Sequence, residues 1–351
     1  MRKYCIILSF SLYLYSCGRS NTTQEVEIVN PIDNVTLSGS LTLPKGSGPY
    51  PGVVLVAGTG KMDRDQTFEG HKFFKVLADY LAENGIASYR YDKRGVGKSS
   101  GNFDSATLKA FSSDALEALK YLKSHSKISY AGFIGHSEGG KVAPMATLNN
   151  EVCDFLVLMA PPGLPSDRTL LNMTEAELRA KGVEHGVIQK QIDIETQIWE
   201  LVKTGDNIAQ TREMVKDLIS LNINHYYYLK DTKKEELDAK IEQDANWFVN
   251  SVNFEEMQNY IDSKMLSELN CSVFAITGDK DLFVVYPGEF DMVRTLIESN
   301  SEIESTFKVY PGLNHLFQNC ETGLIEEVSK ISETMDSEVM ADISEWIKNL
   351  K

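Results

Sequence analysis

The stretch Gly135-His136-Ser137-Glu138-Gly139-Gly140 sets a serine between glycines at i−2 and i+2. An apolar run, Tyr130-Ala131-Gly132-Phe133, precedes it, and a helical pattern from Lys141 to Leu148 follows. Strand, sharp turn and helix is the setting in which Gly-x-Ser-x-Gly forms a nucleophile elbow. The strained turn needs close neighbours without a Cβ. It points the Ser137 hydroxyl out of the sheet and aims the Glu138 amide at the space above it. A glycine-rich turn with a capping serine is the plainer reading of the same residues.

A serine hydroxyl is a poor nucleophile at neutral pH. It requires a base within reach and a carboxylate to orient that base. Around such an elbow the partners follow in the order serine, acid, histidine, each in a loop after a strand. His315 lies in Tyr310-Pro311-Gly312-Leu313-Asn314-His315, just past the last expected strand, and is the expected base. His185 and His225 fall in a charged, helix-patterned stretch instead. The acid comes from Thr277-Gly278-Asp279-Lys280-Asp281. Asp281, deeper in the loop, is preferred, because Asp279 could simply hold the turn through its own backbone. An oxyanion formed during acyl transfer needs two amides. One is that of Glu138. The other comes from Ala57-Gly58-Thr59-Gly60, as either Thr59 or Gly60. Such a donor stabilises a transition state by about 3–4 kcal/mol.

The elements that must position these residues are legible from periodicity. Glu25 to Val29 and Val35 to Leu43 alternate and are separated by Asn30-Pro31-Ile32-Asp33-Asn34, which predicts an antiparallel hairpin. Gly52 to Ala57 is continuously apolar, as a buried parallel strand requires. Helical patterns over His71–Glu83 and Thr107–Lys123 alternate with strands at Ile86–Tyr91, at the elbow and at Phe155–Met159. Two more strands are expected at Ser272–Thr277 and Glu304–Tyr310. The sum is an α/β fold with an eight-stranded, mostly parallel sheet covered on both faces. Its one interruption, about residues 163–268, is charged and helix-patterned, with Thr174 a candidate N-cap. It reads as a helical cap inserted into a domain spanning residues 25–351, with a second independent domain as the alternative. Gly97-Lys98-Ser99 and Gly95-Val96-Gly97 start to resemble phosphate and dinucleotide loops, but Asp92 and Ser100 stand where those motifs need glycine. Asp92 and Arg94 are expected to brace this loop.

Hydrophobic residues make up 42% of the chain and charged ones 24%, so it can bury a large core. A net charge of −15 argues against nucleic acid as a partner. Arg2 and Lys3, an apolar run from Cys5 to Tyr15, then Ser16-Cys17, form a secretory signal over residues 1–16 that is too short to span a membrane. Leu14-Tyr15-Ser16-Cys17 resembles a bacterial lipobox. That resemblance implies lipidation of Cys17, a polar tether over residues 17–24, and a membrane-anchored protein of the bacterial envelope. Cys153, Cys271 and Cys320 lack metal-ligand spacing. Cys153 and Cys271 are expected as small core residues, with no disulfide framework.

Together, Gly58-Thr59-Gly60, Asp92-Lys93-Arg94-Gly95-Val96-Gly97, the Ser137 motif, the Asp279/Asp281 loop and Asn314-His315 resemble the α/β-hydrolase superfamily. Within it the chain is similar to bacterial secreted esterases related to acyl-aminoacyl peptidases and dienelactone hydrolases. Those relatives often carry Gly-His-Ser-Glu-Gly-Gly, a Gly-x-x-Asp acid loop and Gly-x-Asn-His, a pattern that implies Asp281 as the acid. They also often carry Pro-Trp-Phe late in the insertion, where this chain has Asn246-Trp247-Phe248. The resemblance implies a serine hydrolase, a carboxylesterase acting on a small-molecule ester without metal or cofactor. A peptidase or amidase, or a binding lipoprotein that kept the fold without catalysis, are the alternatives. Trp199, Trp247, Phe248 and Tyr226-Tyr227-Tyr228 lie in the insertion, and Trp247 is expected to line an acyl or alcohol pocket.

Overall fold

A computed structural model describes residues 21–148, 151–204, 208–221, 233–251 and 264–350. Eight strands form one sheet: β1 (Thr22–Asn30), β2 (Val35–Leu43), β3 (Tyr50–Val56), β6 (Ala87–Tyr91), β7 (Ile128–His136), β8 (Phe155–Met159), β9 (Ser272–Gly278) and β10 (Ser305–Tyr310). A small pair, β4 (Thr67–Phe68) and β5 (His71–Lys72), stands apart. The spatial order is β1-β2-β6-β3-β7-β8-β9-β10. β1, β2 and β6 pair antiparallel, and every pairing from β6 to β10 is parallel. This is the eight-stranded, mostly parallel sheet that the periodicity predicts.

Alternation along the central strands divides the core. Val54 and Val56 of β3 face one layer and Val53 and Leu55 the other. The first layer is completed by α2 (Leu108–Ser124), α3 (Gly139–Thr147) and a later helix, Gly288–Glu298. The second is completed by α1 (Phe73–Glu83) and the last helix, Ser337–Asn349. A sheet coated on both faces buries both side-chain sets, which is why its strands read as continuous apolar runs. All five residues of β8 are buried.

Two boundaries differ from expectation. β1 begins at Thr22, inside the stretch expected as a tether, because Thr22, Thr23 and Gln24 pair with Leu43, Thr42 and Leu41. Polar residues suit this edge strand, so composition there does not mark where pairing starts. α1 begins at Phe73, not His71. His71 pairs with Phe68, and its ring meets Thr334 Oγ1 at 3.0 Å and the Val328 carbonyl at 2.9 Å. Thr107, by contrast, caps α2 by accepting from the Ala110 amide at 3.1 Å.

Between β8 and β9 the described residues form α4 (Ser166–Ala180), α5 (His185–Thr204), α6 (Ile208–Leu221), α7 (Lys234–Ser251) and α8 (Lys264–Ser267). Thr174 lies inside α4 and is not its N-cap, which is Pro165. Its hydroxyl bonds the Glu195 carboxyl of α5 instead. α4 to α7 share an apolar cluster that includes Leu171, Trp199, Leu218 and Ile241. Trp199 therefore packs these helices against each other. Trp247 falls within α7, but its side chain, like residues 226–228, lies outside the described residues. The path from β8 into these helices is fixed by Glu289, whose carboxylate accepts from the amides of Gly163 and Leu164, each at 2.7 Å. Cys153 and Cys271 are buried, and Cys320 is partly buried. No helix among the described residues is long and apolar enough to cross a membrane.

Candidate active site

Strands β3, β7, β8, β9 and β10 are parallel, so the loops leaving their carboxyl ends converge at one edge of the sheet. Ser137 follows β7, Gly58 to Gly60 follow β3, Asp281 follows β9 and His315 follows β10. These are the four sequence motifs, brought together by topology.

Ser137 has φ +55°, a left-handed conformation that costs a non-glycine residue about 1–2 kcal/mol. Its amide donates to the Met159 carbonyl at 2.9 Å, and its own carbonyl accepts from the Gly140 amide at 2.8 Å. The flanking glycines are required by contact. A Cβ on Gly139 would stand 2.0 Å from the Val56 carbonyl oxygen, and one on Gly135 would stand 2.2 Å from that of Gly139. α3 thus starts in backbone contact with β3.

His315 Nδ1 is 2.7 Å from Asp281 Oδ2. The other Asp281 oxygen accepts from the amides of Phe283 and Val284 at 2.8 and 2.9 Å, so the buried carboxylate is fully engaged. Asp279 does different work: its carboxylate accepts from the Gly312 amide at 2.6 Å and ties the two loops together. The turn carrying His315 is held by buried Asn314, which accepts from the amides of Leu316 and Gln318, both at 3.0 Å. The Phe283 ring stacks on the His315 imidazole at 5.0 Å between centroids.

His136, next to the serine, has a part the sequence does not announce. Its Nε2 is 2.9 Å from the His315 carbonyl oxygen, and its Nδ1 is 2.8 Å from Gln66 Nε2. Gln66 Oε1 in turn accepts from the Gly58 amide at 2.9 Å. The chain is self-consistent in one proton arrangement: the Gln66 amide donates to Nδ1, and Nε2–H donates to the carbonyl. Burial, reinforced by neighbouring His315, pulls the His136 pKa down to about 3, so the ring is neutral. One uncharged side chain therefore couples the loop after β3 to the loop after β10.

The Glu138 carboxylate is not left in solvent: its Oε1 lies 2.7 Å from Lys93 Nζ, and its side chain is only 20% exposed. Thr59 is exposed, while Gly58 is buried with its Cα hydrogens facing Ser137 Cβ. Asp92 and Arg94 brace the loop after β6. The Asp92 carboxylate takes the Arg64 guanidinium and the Lys98 amide, and Arg94 pairs with buried Asp114 at 2.7 Å. Lys93 and Gln66 escape a reading by residue type. Lys93 sits in a recognisable motif, whereas Gln66 carries no local signal.

Residues 68–222, less than half of the chain, match the family model described as serine aminopeptidase, S33. Esterase EstD of Thermotoga maritima is 39% identical over 137 residues, which take in 38% of this chain and 32% of that protein. The match thus spans about a third of the curated relative's length. Among solved structures, DcsB in complex with its substrate analogue superposes with a TM-score of 0.56 at 17% identity, covering 93% of this chain and 98% of that one. The esterase Pf2001 of Pyrococcus furiosus superposes with a TM-score of 0.54 at 16% identity, covering 93% and 92%. At those identities the likeness is one of fold.

The buried neutral imidazole predicts an acid sensitivity. The folded pKa near 3 lies below the unfolded value near 6.5, so the unfolded chain binds more protons between those limits. Stability from this group is full above the upper limit and falls as the pH drops toward the lower one. Its contribution to the slope is at most about 1.4 kcal/mol per pH unit. Urea titrations from about pH 4 to pH 7 should show a shallower acid decline for His136→Asn than for the parent. Parallel declines would mean that His136 is not neutral in the folded protein.

Proposed function

We propose that this chain, which folds as an α/β-hydrolase does, hydrolyses carboxylic esters through an acyl-enzyme on Ser137. The observation that carries the proposal is the Asp281–His315 bond of 2.7 Å, held at the sheet edge that also presents the strained Ser137. His315 takes the Ser137 proton as Oγ attacks the acyl carbon. Asp281 fixes the imidazole with Nδ1 protonated and balances the charge it gains. The oxyanion is held by the amide of Glu138 and a second amide from Thr59 or Gly60. Collapse of the tetrahedral species expels the alcohol, which leaves with the proton held by His315. Water then repeats the sequence and frees the acid and Ser137. None of these steps calls on a metal or an organic cofactor.

The esterase names of EstD and Pf2001 favour esters as substrates. The match to a serine aminopeptidase model favours amide cleavage as the second reading. Helices α4 to α7 are proposed as a cap over the site, since they leave the sheet directly after β8, beside the elbow strand. Trp247 is proposed as part of its substrate pocket. The leader over residues 1–16 and lipid attachment at Cys17 are likewise proposals. They would tether the enzyme to an envelope membrane close before the first strand at Thr22.

Ser137→Ala should abolish ester turnover and fluorophosphonate labelling without loss of fold, and retained labelling would move the nucleophile elsewhere. Asp281→Asn should lower kcat by about 10⁴-fold, with Asp279→Asn costing far less. The reverse ranking in steady-state kinetics would reassign the acid. Aryl esters should be turned over faster than matched aminoacyl anilides, and a preference for anilides would select the amidase reading. Cys17→Ser should move the protein out of the membrane fraction and change its processed mass. Unchanged partition and mass would dismiss the lipid anchor.

A further inference from the structure

Lys93 follows β6 and is 4% exposed, an unusual setting for an ammonium outside the expected catalytic set. Its ammonium lies over two aromatic rings, with Nζ 4.7 Å from the centroid of Phe111 and 5.7 Å from that of Phe103. The ammonium donates to the Gly58 carbonyl oxygen at 2.6 Å and to Glu138 Oε1 at 2.7 Å. Those two acceptors belong to the two segments that would supply the oxyanion amides, one after β3 and one after β7.

The Gly58 carbonyl and the Thr59 amide are opposite ends of one peptide unit. A trans peptide is planar, so its N–H points away from its C=O. Lys93 draws the carbonyl inward, and the Thr59 N–H must then point outward, where Thr59 itself is exposed. The preceding peptide is gripped as well, through the Gly58 amide and Gln66 Oε1 at 2.9 Å. A cation bonded to a carbonyl also withdraws charge from its peptide unit and strengthens the N–H at the far end as a donor. Gly60 lies one peptide beyond the unit that Lys93 holds. Glu138 completes the arrangement: its carboxylate balances the buried ammonium, and its own amide starts the elbow helix.

We infer that Lys93 is a positioning residue for the oxyanion hole, gripping both segments that form it and selecting the Thr59 amide as the second donor. This rests on the acyl-enzyme reading above. Lys93 touches no reacting atom. It sets the direction and strength of a donor whose help is felt only when the oxyanion forms.

The test uses the full chain with Lys93→Met, Lys93→Gln, Lys93→Arg and Glu138→Gln, each checked for fold by circular dichroism. The readouts are kcat and KM on a short-chain aryl ester, and affinity for a trifluoromethyl ketone, which forms an oxyanion on the serine. The uncharged variants should lose kcat by about 10- to 100-fold with KM nearly unchanged, somewhat less than for outright loss of a donor. Ketone affinity should fall in proportion to kcat/KM, because both report the oxyanion. Lys93→Arg should recover part of the loss, since it keeps a cation with several donors. Glu138→Gln, which leaves Lys93 on the Gly58 carbonyl, should cost less than Lys93→Met. If Lys93→Met does not fold, Lys93→Gln is judged by the same split. A parent protein that neither labels with fluorophosphonate nor turns over ester or anilide would overturn the serine-hydrolase reading and this role together. An active, labelled parent matched in kcat by a folded uncharged variant would overturn the role of Lys93 alone. So would a kcat loss with ketone affinity unchanged.

Discussion

The contact between the start of α3 and the end of β3 governs the geometry of the whole site. The Gly139 backbone lies against the Val56 carbonyl so closely that a Cβ would stand 2.0 Å from that oxygen. This approach forces the chain to turn sharply after β7, and the turn holds Ser137 at φ +55°. The strain is sustained because the Ser137 amide and carbonyl are both bonded, to Met159 and Gly140. The same contact brings Gly58 against Ser137, since Gly58 continues the strand that α3 touches. A looser elbow would free the serine and separate it from the loop after β3 in one step.

Around this contact the loops are joined by groups of two electrical kinds. The Gln66–His136–His315 chain is neutral and buried, so it tolerates a dry interior without a charge to desolvate. The Lys93–Glu138 pair is ionic and largely buried, and each partner offsets the other's desolvation. Gly58 belongs to both systems, its amide to the first and its carbonyl to the second. Asp281 shows a third solution. It is a buried carboxylate engaged by two amides and one imidazole, which leaves it no freedom to turn away from His315.

Sequence periodicity failed where tertiary contacts outweigh local preference. Thr174 precedes an acidic, helix-forming run and reads as a cap, yet α4 has already started at Ser166. His71 continues the helical pattern of α1, but its ring is claimed by Thr334 and the Val328 carbonyl from far along the chain. Thr22 to Gln24 look like a tether because an edge strand tolerates polar residues on its open side.

By itself, the sequence determined the eight strands, their parallel centre, and the serine, acid and histidine loops that end β7, β9 and β10. Those features are written in short-range currency: hydrophobic alternation, glycine spacing and turn residues recur within a few positions of each other. Only the tertiary structure decided how the loops meet. The loop pattern already favours Asp281, but that its carboxylate and not that of Asp279 meets His315 is decided by how the β10 loop approaches. The link from Gln66 to His136 spans strands that are neighbours in the sheet and distant in sequence. Lys93 belongs to the same class. Its residue type permits a solvated surface cation, and burial between Phe111, Gly58 and Glu138 follows only when β3, β6 and β7 are placed side by side.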